Sequence, residues 1–128
     1  MAEEDKQAGL KVRREVMGDE FVDRALSNTT SLNAPLQDWI NENAWGSTWQ
    51  REALPRNVRS LVTIAMLAAL KSPTELKGHI RGALNNGCTP EEIREVLLHS
   101  IVYCGAPAAQ EAFRAAAEVL DVDGFDSE

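Results

Sequence analysis

Basic residues are the minority in this chain: 13 Lys and Arg stand against 20 Asp and Glu, for a formal net charge of −7. A surface of that sign repels phosphate backbones, so nucleic acid is not an expected partner. Cysteine is scarce too. Cys88 and Cys104 lie sixteen positions apart, with no CxxC and no metal-ligand spacing around them. They read as two reduced thiols filling core space. Two histidines, His79 and His99, are too few for a zinc site without a well-spaced third ligand. No apolar run approaches the roughly 20 residues of a membrane span; the longest, Leu61 to Leu70, is interrupted by Thr63. The first residues, Met1-Ala2-Glu3-Glu4-Asp5, are acidic where a secretory signal begins basic. The expectation is a cytoplasmic protein with no membrane partner. Internal repeats, strand alternation and a Gly-rich phosphate loop are also missing.

What is present reads as one globular domain over residues 1–128. Hydrophobic residues make up 44% and charged residues 26%, an ordinary soluble balance. Acidic stretches at about 1–9 and 121–128, the second carrying Asp121, Asp123, Asp126 and Glu128, read as flexible tails. The middle of the chain holds Arg51, Arg56, Arg59 and Arg81, which leaves room for a locally positive pocket that takes a small anion.

Helical spacing dominates between the tails. Residues 11–26 carry Val12, Val16, Phe21, Val22, Ala25 and Leu26, with Gly18 placed to break the piece in two. Pro35 opens a short helix that ends near Gly46, and Pro55 precedes another over 56–70. Leu61, Ile64, Ala65, Leu67 and Ala68 make that helix apolar over most of its circumference, which predicts burial in the core or against a second subunit. A further helix over 75–86 ends at Gly87. Thr89-Pro90-Glu91-Glu92 is a capping box opening the next, with Ile93, Val96, Leu97, Ser100 and Ile101 at core spacing. Gly105 stops it. Pro107 starts the last helix, with Ala108, Phe113, Ala116 and Leu120 inward. The predicted architecture is an all-α bundle of about six helices that assembles into a homo-oligomer.

Three constellations bear on chemistry. Glu75 and His79 share a helix face one turn apart; Gly78 and Gly82 thin that helix, and a surface pair with packing glycines is the plain alternative. Glu95, His99 and Tyr103 recur every four residues, either as a reactive face or as a satisfied core or interface set. Trp45, Trp49 and Arg51 sit on a connecting segment that either walls a pocket for a planar anion or plugs the end of the bundle. Arg59 interrupts the apolar helix and needs a negative partner, from the protein or from a ligand.

The runs Trp45-Gly46-Ser47-Thr48-Trp49-Gln50-Arg51, Arg59 to Leu70 and Glu75-Leu76-Lys77-Gly78-His79 together resemble the gamma-carboxymuconolactone decarboxylase family. So do Asn86 to Ile93, and the series His99, Tyr103, Gly105, Pro107, Ala108 and Ala109. The likeness spans roughly residues 10–120. The same superfamily has an alkylhydroperoxidase-like branch with a CxxC and a histidine four residues beyond it. Laid on this chain, the cysteine positions fall at Ser72 and Glu75 and the histidine at His79. Without thiols there, disulfide exchange at that place is chemically impossible.

The resemblance implies an alkylhydroperoxidase-like all-α fold, a ring-like homo-oligomer (commonly a hexamer), and no metal or organic cofactor. It implies conversion of gamma-carboxymuconolactone to beta-ketoadipate enol-lactone and carbon dioxide, within protocatechuate catabolism. A peroxidase relative and a non-catalytic helical oligomer binding a small acid are the alternatives. For the decarboxylase, the expected roles are carboxylate binding by Arg51 or Arg59 and proton donation by His79, with Glu75 setting its tautomer. His99 is second choice as donor, assisted by Tyr103, and Trp45 and Trp49 supply dry walls.

Overall fold

The structure, a computed structural model, describes residues 2–126 and is helical, with no strand among them. The eight α-helices are α1 (Ala2–Met17), α2 (Asp19–Ser27), α3 (Ala34–Trp39), α4 (Arg56–Ala69), α5 (Pro73–Asn85), α6 (Pro90–Cys104), α7 (Ala106–Ala117) and α8 (Val122–Asp126). A π-helical turn, Ile40–Trp45, continues α3, and a 3-10 turn, Thr48–Gln50, follows it. The chain forms two compact units, one ending at Arg56 and the other starting at Asn57.

In the first unit Gly18 separates α1 from α2 at φ +90°, in the left-handed half of the map where a side chain is strained. Val12, Val16, Met17, Val22, Trp45 and Trp49 form its core. α1 packs directly along the π-helical turn, and Gly9 makes that possible. A Cβ on Gly9 would lie 1.8 Å from the Asn41 carbonyl oxygen and 2.7 Å from the Gly46 amide nitrogen. One turn further along α1, the buried Arg13 donates from Nη1 to Gln37 Oε1 (3.1 Å) and Asn41 Oδ1 (3.0 Å). Both acceptors are neutral amides, and burial lowers the Arg13 pKa below the ordinary guanidinium value.

In the second unit Ile64 and Ala68 of α4 pack with Leu76, Ile80 and Ala83 of α5, Ile93 and Leu97 of α6, and Ala112, Ala115 and Ala116 of α7. The alanines let α7 lie close against α5 and α6. Proline and glycine punctuate the helices as expected. Pro73, Pro90 and Pro107 stand in first turns, and Gly87 and Gly105 carry φ of +92° and +88°. The capping box is complete: Glu92 N–H donates to Thr89 Oγ1 (3.1 Å), and Thr89 N–H donates to Glu92 Oε1 (2.8 Å). Buried Ser60 accepts from Asn86 Nδ2 at 2.9 Å, which ties the end of α5 to α4.

Four expectations change. The head is not a tail, since residues from Ala2 onward already belong to α1; its acidic first turn suits a helix N-terminus. Val122–Asp126 form α8, with Phe125 half-buried beneath the Arg94 guanidinium; Ser127 and Glu128 lie outside the described residues. α4 is not buried all round. It buries Ser60, Ile64 and Ala68 but exposes Val62 and Met66, because one helix face is all that its neighbours in the chain can cover. Cys104 is exposed and only Cys88 is a core thiol, donating its S–H to the Asn57 carbonyl at 3.2 Å.

Candidate active site

In the first unit an open cavity of about 600 Å³ lies between one stripe of α1 and the segment Trp49–Arg56. Ala8, Lys11, Val12 and Glu15 recur with helical spacing, so a single face of α1 supplies one wall. Trp49, Gln50, Arg51, Glu52, Leu54, Pro55 and Arg56 supply the other. Trp45 and Trp49 stack with ring centroids 4.9 Å apart, and Gln50 Nε2 donates to the Trp45 carbonyl at 3.2 Å. The segment presenting Arg51 is thereby fastened to a buried aromatic pair. Trp45 belongs to the core, while Trp49 is a core residue that also touches the cavity.

Three cations face this space: Lys11, Arg51 and Arg56. Arg56 pairs with Glu15 at 2.8 Å. Arg51 is exposed at the rim. Lys11 and Glu15 were not singled out from sequence, and Arg56 only as one of the arginines that leave room for a positive pocket. The signal available was the spacing of Ala8, Lys11, Val12 and Glu15 along one helical face.

In the second unit a groove of about 610 Å³ runs between α4 and α6. Val58, Leu61, Val62, Ala65 and Val96 make its walls mostly apolar, and Glu95, His99, Ser100, Tyr103 and Cys104 add the polar groups. His99 and Tyr103 meet with ring centroids 5.3 Å apart at 44°. The four-residue repeat Glu95-His99-Tyr103 thus faces one groove. Cys104 joins it, against its reading as core filler.

His79 stands on α5 and is half-buried, beside the buried backbone of Gly78 and Gly82. Glu75, one turn earlier, is exposed. Arg59 is half-buried on α4, and its carbonyl accepts from Thr63 Oγ1 at 2.8 Å. Among the described residues no group of three His, Cys, Asp or Glu side chains is placed to hold a metal ion. No helix among them is long and apolar enough to cross a membrane.

One unit thus carries a cation-lined cavity and the other an imidazole in a mostly apolar groove. Residues 34–118 match the model of the carboxymuconolactone decarboxylase family. The chain is 46% identical over 112 residues to the 4-carboxymuconolactone decarboxylase of Acinetobacter baylyi, covering 88% of this chain and 84% of that one. It is 50% identical over 104 residues to the nitrosuccinic acid decarboxylase of Metarhizium robertsii, covering 81% and 73%. The chain belongs to the carboxymuconolactone decarboxylase family and is a carboxy-lyase.

Proposed function

We propose that the chain decarboxylates gamma-carboxymuconolactone to beta-ketoadipate enol-lactone, as a step of protocatechuate breakdown in the cytoplasm. The observation that carries this reading is the 46% identity that extends over 84% of the 4-carboxymuconolactone decarboxylase. The chemistry requires no external electron sink. The departing carboxylate sits on a saturated ring carbon conjugated, through the ring double bond, to the lactone carbonyl. The electron pair of the breaking carbon–carbon bond moves through that double bond onto the carbonyl oxygen, giving a furan-like dienolate. A proton then adds to the carbon beside the carbonyl.

Each requirement has a candidate. Arg51 holds a substrate carboxylate by a two-pronged contact, supported by its position on the cation-lined cavity; Arg59 is the alternative. His79 delivers the proton, with Glu75 setting its tautomer and charge. His99, with Tyr103, is the second donor, supported by the apolar groove that both residues line. Apolar surroundings such as Trp45 and Trp49 favour loss of a charged group into neutral carbon dioxide. The exposed Met66 of α4, Leu70 just beyond it, and Val102 and Tyr103 of α6 support self-association into the ring-like hexamer.

The relative named for nitrosuccinic acid favours a second reading. Both substrates bear a carboxymethyl group on the carbon that loses carbon dioxide, and an electron acceptor conjugated to it: the enoyl lactone in one, the nitro group in the other. The retained carboxymethyl group gives Arg51 the same handle in either case. Proton NMR in D2O separates the two. Turnover of the lactone, with one deuterium at the carbon beside the product carbonyl, supports the first. Turnover of nitrosuccinate with the lactone untouched replaces it with the second.

A further inference from the structure

A third concavity has no part in the chemistry above. A cleft of about 240 Å³ opens between α6, α7 and α8, walled by Leu97, Phe113, Leu120 and Phe125. Ala117 of α7 also lines it, and so small a side chain leaves the space open. The wall is almost wholly carbon. The one charged residue on it, Arg94, sets its guanidinium over the Phe125 ring, 4.9 Å from the centroid, and its Nε is 3.9 Å from Glu95 Oε1. That cation already faces a ring and a carboxylate, so the cleft offers no charge to an anionic ligand.

Water gains little here, because an ordered water needs two or more polar partners. An apolar cavity of roughly 150 Å³ suffices for a benzene-sized guest, so this cleft has room for a single ring. Phe113 and Phe125 present two phenyl groups for offset or edge contacts. We propose that the cleft is a binding site for a small neutral monocyclic aromatic molecule, of the size of toluene. The guest packs beneath α8 and joins that short helix to α6 and α7, so occupancy stabilises the end of the chain.

Titration of the full-length protein with toluene, followed by carbon–proton NMR of its methyl groups, tests this. The expected result is saturable shifts on Leu97, Leu120 and Val122, with a Kd on the order of 1 mM for so small a ligand. Ala117→Phe, at an exposed position of α7, places a ring in the cleft and should weaken binding at least tenfold with helical content kept; Ala117→Leu is the smaller filler should that variant misfold. Shifts that rise linearly without saturating overturn the proposal. So do shifts centred on Leu61 and Val62 of the α4–α6 groove, or unchanged affinity in the folded filler variant.

Discussion

Gly9→Ala sets two effects of opposite sign against each other. Intrinsic propensity favours alanine inside a helix by about 1 kcal/mol. Packing opposes it, because the new Cβ would lie 1.8 Å from the Asn41 carbonyl oxygen and 2.7 Å from the Gly46 amide nitrogen. Both atoms are backbone, so no rotamer change relieves the contact, and α1 must part from the π-helical turn by about 1 Å. Overpacking of this kind costs about 1–3 kcal/mol, with rigid backbone at the upper end. The net expectation is destabilisation by about 2 kcal/mol, or a fall in Tm of about 8 °C. Urea titration read by tryptophan fluorescence suits the case, since Trp45 and Trp49 belong to the same core. Gly18→Ala is the control: its φ is +90°, but nothing lies within 4 Å of a Cβ there, so only backbone strain of about 1 kcal/mol applies. Increased stability of Gly9→Ala would refute the close-approach argument and leave helix propensity in command.

Further outcomes are expected. The folded protein should titrate one rapid thiol with a disulfide reagent, Cys104, and a second only on unfolding, Cys88. Burial, and secondarily the Glu92 carboxylate, push the Cys88 pKa up. The unfolded thiol therefore ionises first, and stability should fall as pH rises from the ordinary thiol pKa toward the raised one; Cys88→Ala should flatten that fall, and an unchanged slope would contradict it. Thr89→Ala removes the hydroxyl of the capping box and should cost about 1 kcal/mol by denaturant titration. Arg51→Ala should raise KM for the lactone about tenfold or more, with Arg51→Lys recovering only part because it loses the two-pronged contact; a wild-type KM in the alanine variant would remove Arg51 from carboxylate binding.

Much of the helix map was legible because its signals are local. Gly18, Gly87 and Gly105 stop helices through their own backbone angles, and Thr89 with Glu92 caps one within four residues. The π-helical turn Ile40–Trp45 was not legible. It lies against α1 where Gly9 meets Asn41, a contact between segments far apart in sequence. The degree of burial of α4 also escaped, since apolar residues on a helix do not say which of them the same chain covers. At the site, the adjacency of Trp45, Trp49 and Arg51 and the His99–Tyr103 pair were readable as spacing. Lys11 and Glu15 were not, because polar residues on a periodic face look like ordinary solvated surface until a second segment closes over them.

The central claim is that the substrate serves as its own electron sink while one imidazole returns the proton. Its most direct test is carbon dioxide release from gamma-carboxymuconolactone by the purified protein, measured beside His79→Gln and His99→Gln. Stoichiometric release by the wild-type protein is expected, with the rate reduced about 100-fold or more in the variant lacking the donor. Release no faster than the lactone's own spontaneous loss, or full rates in both variants, would contradict it.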